Sequence, residues 1–187
     1  PSVFAILVES DKQFRDNKII SFGHTSSGGR PHAEANTLEN VHFKKNKIYT
    51  LYSTLEPCCH EGRDESCVSK ILKSKKINRV IFSLIDPDKR VNGKGKKILK
   101  KNNLEVKSGL LENQIKNLYQ GYILNRKENR PKIILKLAIT KDGYITFEKG
   151  KRTKITNLIS DKYSDILRSE VDAILVGANT VRIDNCI

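Results

Sequence analysis

Methionine and tryptophan are absent from the 187 residues, aromatic side chains make up only 6 %, and there are 4 cysteines and 5 prolines. So few aromatic rings leave little on which bases could stack, which argues against a single-strand nucleic-acid platform. The cysteines are too sparse for a disulfide scaffold and point to reduced thiols or to a metal. No apolar run approaches the roughly 20 residues of a bilayer span, and no secretory leader pattern opens the chain. With 11 glycines and so few prolines, collagen-like and low-complexity classes are excluded as well.

What is present is charge and a sufficient core. Apolar residues account for 37 % and charged residues for 30 % of the chain, enough to bury a core and too apolar for wholesale disorder. There are 35 basic residues against 21 acidic ones, a formal net charge of +14. Such an excess is the footprint of an anionic partner such as nucleic acid or a membrane surface. Here, however, it is mostly lysine, dispersed from Lys12 to Lys162 and accompanied by abundant Asn and Ile. That is the composition of an AT-rich coding background more than of a binding stripe, so neither a nucleic-acid nor a membrane partner is expected.

Strand and helix patterns alternate. Apolar β-formers at Ser2–Val8, Ile19–Phe22, Ile48–Thr54, Arg79–Ile85 and Leu104–Lys107 predict strands. Helical spacing is expected over His32–Asn40, Cys67–Lys75, Lys96–Asn102 and, as one longer helix, Leu111–Asn125. The run Asp86-Pro-Asp-Lys-Arg-Val-Asn-Gly-Lys-Gly95 is a loop by its Pro and Gly content. This alternation predicts an α/β layered sandwich on a parallel or mixed sheet over residues 1–125. Residues 126–131, polar throughout, are expected to be a linker. From 132 to 187 a second α/β pattern begins, with strands over Lys132–Ile139 and Asp172–Val176 and a helix over Ser160–Ser169. At that length it is expected to be the opening part of a larger domain.

Chemistry concentrates in three places: His32-Ala-Glu34, Pro57-Cys58 and Cys67. An imidazole and two thiolates form a three-ligand set suited to Zn²⁺ that leaves a fourth position open, and an open position marks a catalytic zinc. Such a metal lowers the pKa of a water it holds towards ~7. Glu34, two residues from His32, need not ligate and is placed to shuttle protons. The pattern is that of the zinc base deaminases, H-x-E followed by P-C-x-x-C, except that the second cysteine comes nine positions after the first. If Cys67 opens a helix, the helix N-terminus is expected to favour its thiolate. Cys59 is read as a bystander, and Cys186 carries no signal.

Three stretches carry a resemblance: Gly28-Gly-Arg-Pro-His-Ala-Glu34, Thr54-Leu-Glu-Pro-Cys-Cys-His-Glu-Gly-Arg63 continuing to Cys67, and Asp86–Gly95. They resemble the deaminase half of the bifunctional riboflavin-biosynthesis deaminase–reductases, which has a cytidine deaminase-like fold. Arg130-Pro131, Leu135–Ala138, Asp142-Gly143, Ile155-Thr156, Asp172–Gly177 and Thr180-Val181 resemble the opening of that family's reductase half, a dihydrofolate reductase-like α/β fold. The resemblance implies one catalytic Zn²⁺ on His32, Cys58 and Cys67, with Glu34 as general acid/base. It implies deamination of a diaminopyrimidinone ribosylamine 5′-phosphate, with His60, Arg63 and Asp86 around that substrate. For the second part it implies NADPH and reduction of the ribosyl chain. Ala138, Lys154, Thr180 and Asp184 then fall at cofactor positions, and Arg152 and Arg168 at substrate positions. Arg152 stands where the family usually has Ser, and Lys154 where it usually has Trp. The first domain is expected to lack the family's N-terminal helix. The partner expected is a phosphorylated pyrimidine, in a cytoplasmic enzyme that forms a homo-oligomer. The alternative readings are a zinc deaminase acting on a nucleobase in RNA, and a basic nucleic-acid-binding module.

Overall fold

The apolar runs of the first part pair into one five-stranded sheet of order β2-β1-β3-β4-β5, seen in a computed structural model that describes residues 1–62, 64–148, 150–151 and 153–184. The strands are β1 (Phe4–Ser10), β2 (Lys18–His24), β3 (Ile48–Leu55), β4 (Arg79–Leu84) and β5 (Glu105–Ser108). β1 runs antiparallel to both β2 and β3, whereas β3, β4 and β5 are mutually parallel and are joined through helices. The sheet is therefore mixed. α1 (Ala33–Leu38), α2 (Cys67–Ser74) and α3 (Lys94–Lys101) follow β2, β3 and β4, and α4 (Glu112–Leu118) and α5 (Gln120–Glu128) follow β5. The chain divides into two units, Pro1–Lys132 and Ile133–Ile187.

The core of the first unit follows from the two periodicities. Ala5 and Leu7 of β1, Leu51 of β3 and Val80 and Phe82 of β4 meet Ala33, Val68, Ile71 and Leu99 of α1, α2 and α3. Val68 and Ile71 are three residues apart on α2, so they share one face. Ser66 caps α2, its hydroxyl accepting from the Ser69 N–H at 3.2 Å, and Lys75 ends the helix in the left-handed conformation (φ 52°).

The helix expected over Leu111–Asn125 is two helices, broken at Tyr119 (φ −96°, ψ 13°). The break turns the Tyr119 ring onto Leu55 and Leu84, where Ile115, Tyr122 and Ile123 also pack. It also completes a relay: the Phe4 N–H donates to Thr54 Oγ1 (3.1 Å), Thr54 bonds the Tyr119 hydroxyl (2.6 Å), and that hydroxyl donates to the Ser2 carbonyl (2.9 Å). α5 then continues to Glu128, three residues into the stretch read as linker, because Asn129 supplies the left-handed residue that ends it (φ 53°).

The second unit contains α6 (Leu158–Ser169), capped by the Asn157 side chain at 2.9 Å from the Ser160 N–H, and α7 (Ala178–Asp184), which the pattern did not predict. The strands expected over 132–139 and 172–176 are not formed: among the described residues of this unit there is no strand. The apolar side chains of those stretches lie in the open, Leu175 at 99 % exposure. A strand needs ladder partners, and among the described residues these stretches pair with none. No helix among the described residues is long and apolar enough to cross a membrane.

Candidate metal centre and active site

Each element of the centre is delivered by a strand end. Gly23, near the end of β2, lies directly against α1: a Cβ there would stand 2.8 Å from the Ala33 carbonyl oxygen and from the Thr37 nitrogen and hydroxyl. Asn36 ties the same helix to the end of β2, donating to the His24 carbonyl (2.7 Å) and the Ser26 hydroxyl (2.9 Å). α1 is thereby seated, with His32 as its extended N-cap (φ −71°, ψ 158°) and Glu34 buried in its first turn. At the end of β3 the buried Pro57 leads into Cys58, and Cys67 is the first residue of α2. The loop between them closes on itself, since the Val68 N–H donates to the Cys58 carbonyl at 3.1 Å and the Cys67 N–H donates to Cys58 Sγ at 3.3 Å.

His32 Nδ1 stands 3.5 Å from Cys58 Sγ and 3.3 Å from Cys67 Sγ, and the three donor atoms all lie within 4.8 Å of one another. Zinc bonds of about 2.3 Å to sulfur and about 2.0–2.1 Å to nitrogen make the edges of a tetrahedron about 3.6 Å (N to S) and about 3.8 Å (S to S). The observed separations fit. Glu34 Oε2 is 3.4 Å from Cys67 Sγ, beside the trio and outside it. Cys59 turns away, its sulfur 3.6 Å from the Arg90 carbonyl.

The protons are distributed unequally. Hydrogen bonding from Cys67 and His32, against burial, brings the Cys58 thiol down to about 4. The neighbouring Cys58 sulfur, followed by burial and Glu34, pushes the Cys67 thiol up. The helix N-terminus was expected to favour a thiolate on Cys67; instead the N–H of that residue points at Cys58 and stabilises charge there. Contact with Cys58 raises His32 against the opposing effect of burial. Burial is the main reason Glu34 is raised above the usual carboxylate range.

The remaining candidates are distributed as follows. His60 is half-buried, and its Nδ1 has no hydrogen-bond partner among the described residues. Asp86 is buried and faces inward, accepting from the Tyr122 hydroxyl (2.7 Å) and the Asp88 N–H (2.8 Å). Arg63 and Arg152 lie outside the described residues, as does Cys186. In the second unit Lys154 pairs with Asp161 (3.1 Å) and Arg168 with Asp165, Ala138 is half-buried, and Thr180 and Asp184 belong to α7. Motif reading missed Glu56, a buried carboxylate between β3 and Pro57. Its one signal was an acidic residue immediately after an apolar strand.

Residues 2–84 match the family described as the cytidine and deoxycytidylate deaminase zinc-binding region, and residues 131–186 the RibD C-terminal domain. The riboflavin biosynthesis protein RibD of Aquifex aeolicus is 38 % identical over 181 residues, which are 97 % of this chain and 49 % of that protein. Two solved structures are similar at TM-score 0.86. One is Acinetobacter baumannii RibD (30 % identity, 98 % of this chain, 49 % of that one). The other is a diaminohydroxyphosphoribosylaminopyrimidine deaminase/5-amino-6-(5-phosphoribosylamino)uracil reductase of Thermotoga maritima (33 % identity, 98 % and 51 %). The chain spans about half the length of the relatives it matches.

Proposed function

Since the chain belongs to the family of the riboflavin biosynthesis deaminase–reductases, we propose that its first unit catalyses the hydrolytic deamination of 2,5-diamino-6-ribosylamino-4(3H)-pyrimidinone 5′-phosphate. The observation that carries this reading is the convergence of His32 Nδ1, Cys58 Sγ and Cys67 Sγ, with the buried carboxyl of Glu34 at 3.4 Å from Cys67. These three residues would hold one Zn²⁺, which when bound supplies Lewis acidity and a water of lowered pKa.

The chain's own groups move the protons. Burial disfavours the charged form of Glu34 and raises its pKa, which favours a carboxyl that takes up a proton and gives it back. In the proposed reaction Glu34 takes a proton from the attacking water as its oxygen adds to the amine-bearing ring carbon. It delivers a proton to the amine nitrogen, the C–N bond breaks, and ammonia leaves as the ring carbonyl forms. His60, Arg63 and Asp86 are assigned to the substrate's surroundings, an arginine fork being suited to phosphate.

To residues 132–187 we assign part of an NADPH-dependent reductase of the ribosyl chain, with Ala138, Lys154, Thr180 and Asp184 at cofactor positions and Arg152 and Arg168 at substrate positions. Assembly into a homo-oligomer and residence in a reducing cytoplasm, where the ligand thiols stay free, complete the reading.

The deciding experiment supplies the zinc-loaded chain with the diaminopyrimidinone phosphate and measures ammonia. Release from this compound, and not from adenosine in tRNA, is the expected result; the reverse preference would overturn the assignment in favour of an RNA deaminase.

A further inference from the structure

We infer that Glu56 is a positioning residue that pins the Asp86–Lys96 segment against the ligand-bearing loop, and that the substrate affinity of the proposed deaminase depends on this pin. The inference rests on the deaminase reading only where it concerns substrate.

Glu56 is the first residue past β3, two positions before Cys58, and it is 2 % exposed. Burying a carboxylate is costly unless its oxygens are satisfied. Three backbone N–H groups satisfy it: Asp86 at 3.3 Å and Gly93 at 2.8 Å on Oε2, and Lys96 at 2.9 Å on Oε1. These donors come from both ends of a single loop. The Glu56 N–H in turn donates to the Leu84 carbonyl at 2.9 Å. One residue therefore closes the loop that leaves β4 and enters α3.

The arrangement also explains how α3 starts. Its N-cap is Gly93, which has no side chain to offer, and its first turn carries Lys94 and Lys96 and no acidic residue. A helix N-terminus has unpaired N–H groups and favours negative charge. Glu56 supplies both needs from 37 residues away, accepting from Gly93 and sitting against the N–H of Lys96. Two further contacts seat the loop on the same strand end. A Cβ on Gly95 would collide with the Pro57 carbonyl, and the Cys59 sulfur meets the Arg90 carbonyl at 3.6 Å. Asp86, assigned to the substrate's surroundings, is thus held in register with Cys58 through Glu56.

The test is amide hydrogen exchange on the full chain, with zinc content and steady-state kinetics measured alongside. Glu56→Gln puts an amide NH₂ where an oxygen accepted. Exchange at Asp86, Gly93 and Lys96 is expected to rise by roughly tenfold to a hundredfold relative to the amides of β1 and β3, the loss of a charge-assisted bond. Zinc content is expected to hold, and KM for the diaminopyrimidinone phosphate to rise about tenfold while kcat changes little. Glu56→Asp, which keeps the charge, should recover part of the protection. Gly95→Ala should raise exchange at the same amides by pushing the loop away from Pro57, and it carries the test if Glu56→Gln does not fold. Unchanged exchange at Gly93 and Lys96, an increase spread evenly through the first unit, or loss of zinc would each overturn the inference. Variants that exchange as described, with an unsubstituted chain that releases no ammonia, would refute the deaminase reading and leave the pin standing.

Discussion

The backbone N–H of Cys67 donates to Cys58 Sγ at 3.3 Å, so the residue that opens α2 contributes its own sulfur and also stabilises charge on the other. The Cys67 thiol and, with it, the N–H at the helix start couple the two sulfurs. Cys58 is held down at about 4, while the neighbouring Cys58 sulfur pushes the Cys67 thiol up. A thiol must lose its proton to ligate, so metal uptake at a centre with two thiols depends on pH.

Replacing Cys67 with Ala removes one of three donors and exposes that coupling. Zinc content is expected to fall from about one per chain towards none, since two ligands hold the metal poorly. The thiol of Cys58 should also titrate higher, having lost the first of its stabilising contacts. Metal analysis and thiolate absorbance measure the two effects. Zinc retained in full would identify Cys59 as the ligand in place of Cys67.

Glu34→Gln separates ligation from proton transfer. Glu34 stands beside the donor trio and not within it, so the amide variant should bind zinc normally. Ammonia release should fall by about 10²- to 10⁴-fold, the usual contribution of a positioned acid/base. Loss of metal in this variant would make Glu34 a ligand and contradict the role assigned to it.

Gly23→Ala tests how α1 is seated. The added methyl would meet backbone and side-chain atoms of Ala33 and Thr37 at 2.8 Å, with no flexible chain end to give way except the Thr37 hydroxyl. Overpacking of this kind costs about 1–3 kcal/mol. Urea denaturation should show that loss, and zinc affinity should weaken with it because His32 moves with the helix. Wild-type stability would show that the sheet and helix separate freely at this point.

The convergence of His32, Cys58 and Cys67 was legible because the information is in the motif: H-x-E, then P-C, then a second cysteine nine positions on. The strands of the first unit were legible because their runs of apolar β-formers are local. Glu56 was not, since its partners are backbone N–H groups 30 to 40 residues away, and backbone leaves no mark in a sequence. The break at Tyr119 was hidden because apolar spacing runs unbroken across it; the hydroxyl relay to Thr54 and Ser2 decides it. In the second unit the apolar runs had the composition of strands, but a ladder belongs to a pair of strands, and periodicity within one run cannot report its partner.

Asp88 gives a dependence on pH. Arg90 grips its carboxylate through two nitrogens (3.0 and 2.7 Å), and Arg126 approaches at 3.6 Å. The Arg90 contact holds this carboxyl well below the usual range, outweighing burial. In the unfolded chain it titrates near the ordinary value of about 3.9. Folding therefore lowers its pKa, and the stability this contributes is complete above about pH 4 and is lost as the pH falls towards and through the folded value. Asp88→Asn is expected to cost about 1–2 kcal/mol at neutral pH, as read by urea denaturation. The gap between variant and wild type should narrow as the pH is lowered from about 4 to about 2. The absence of a gap at neutral pH would mean that the Asp88 side chain acts only as an acceptor for the Arg90 N–H at 2.9 Å, a role an asparagine oxygen fills equally well; a gap that stays constant over that range would mean that the charge contributes nothing.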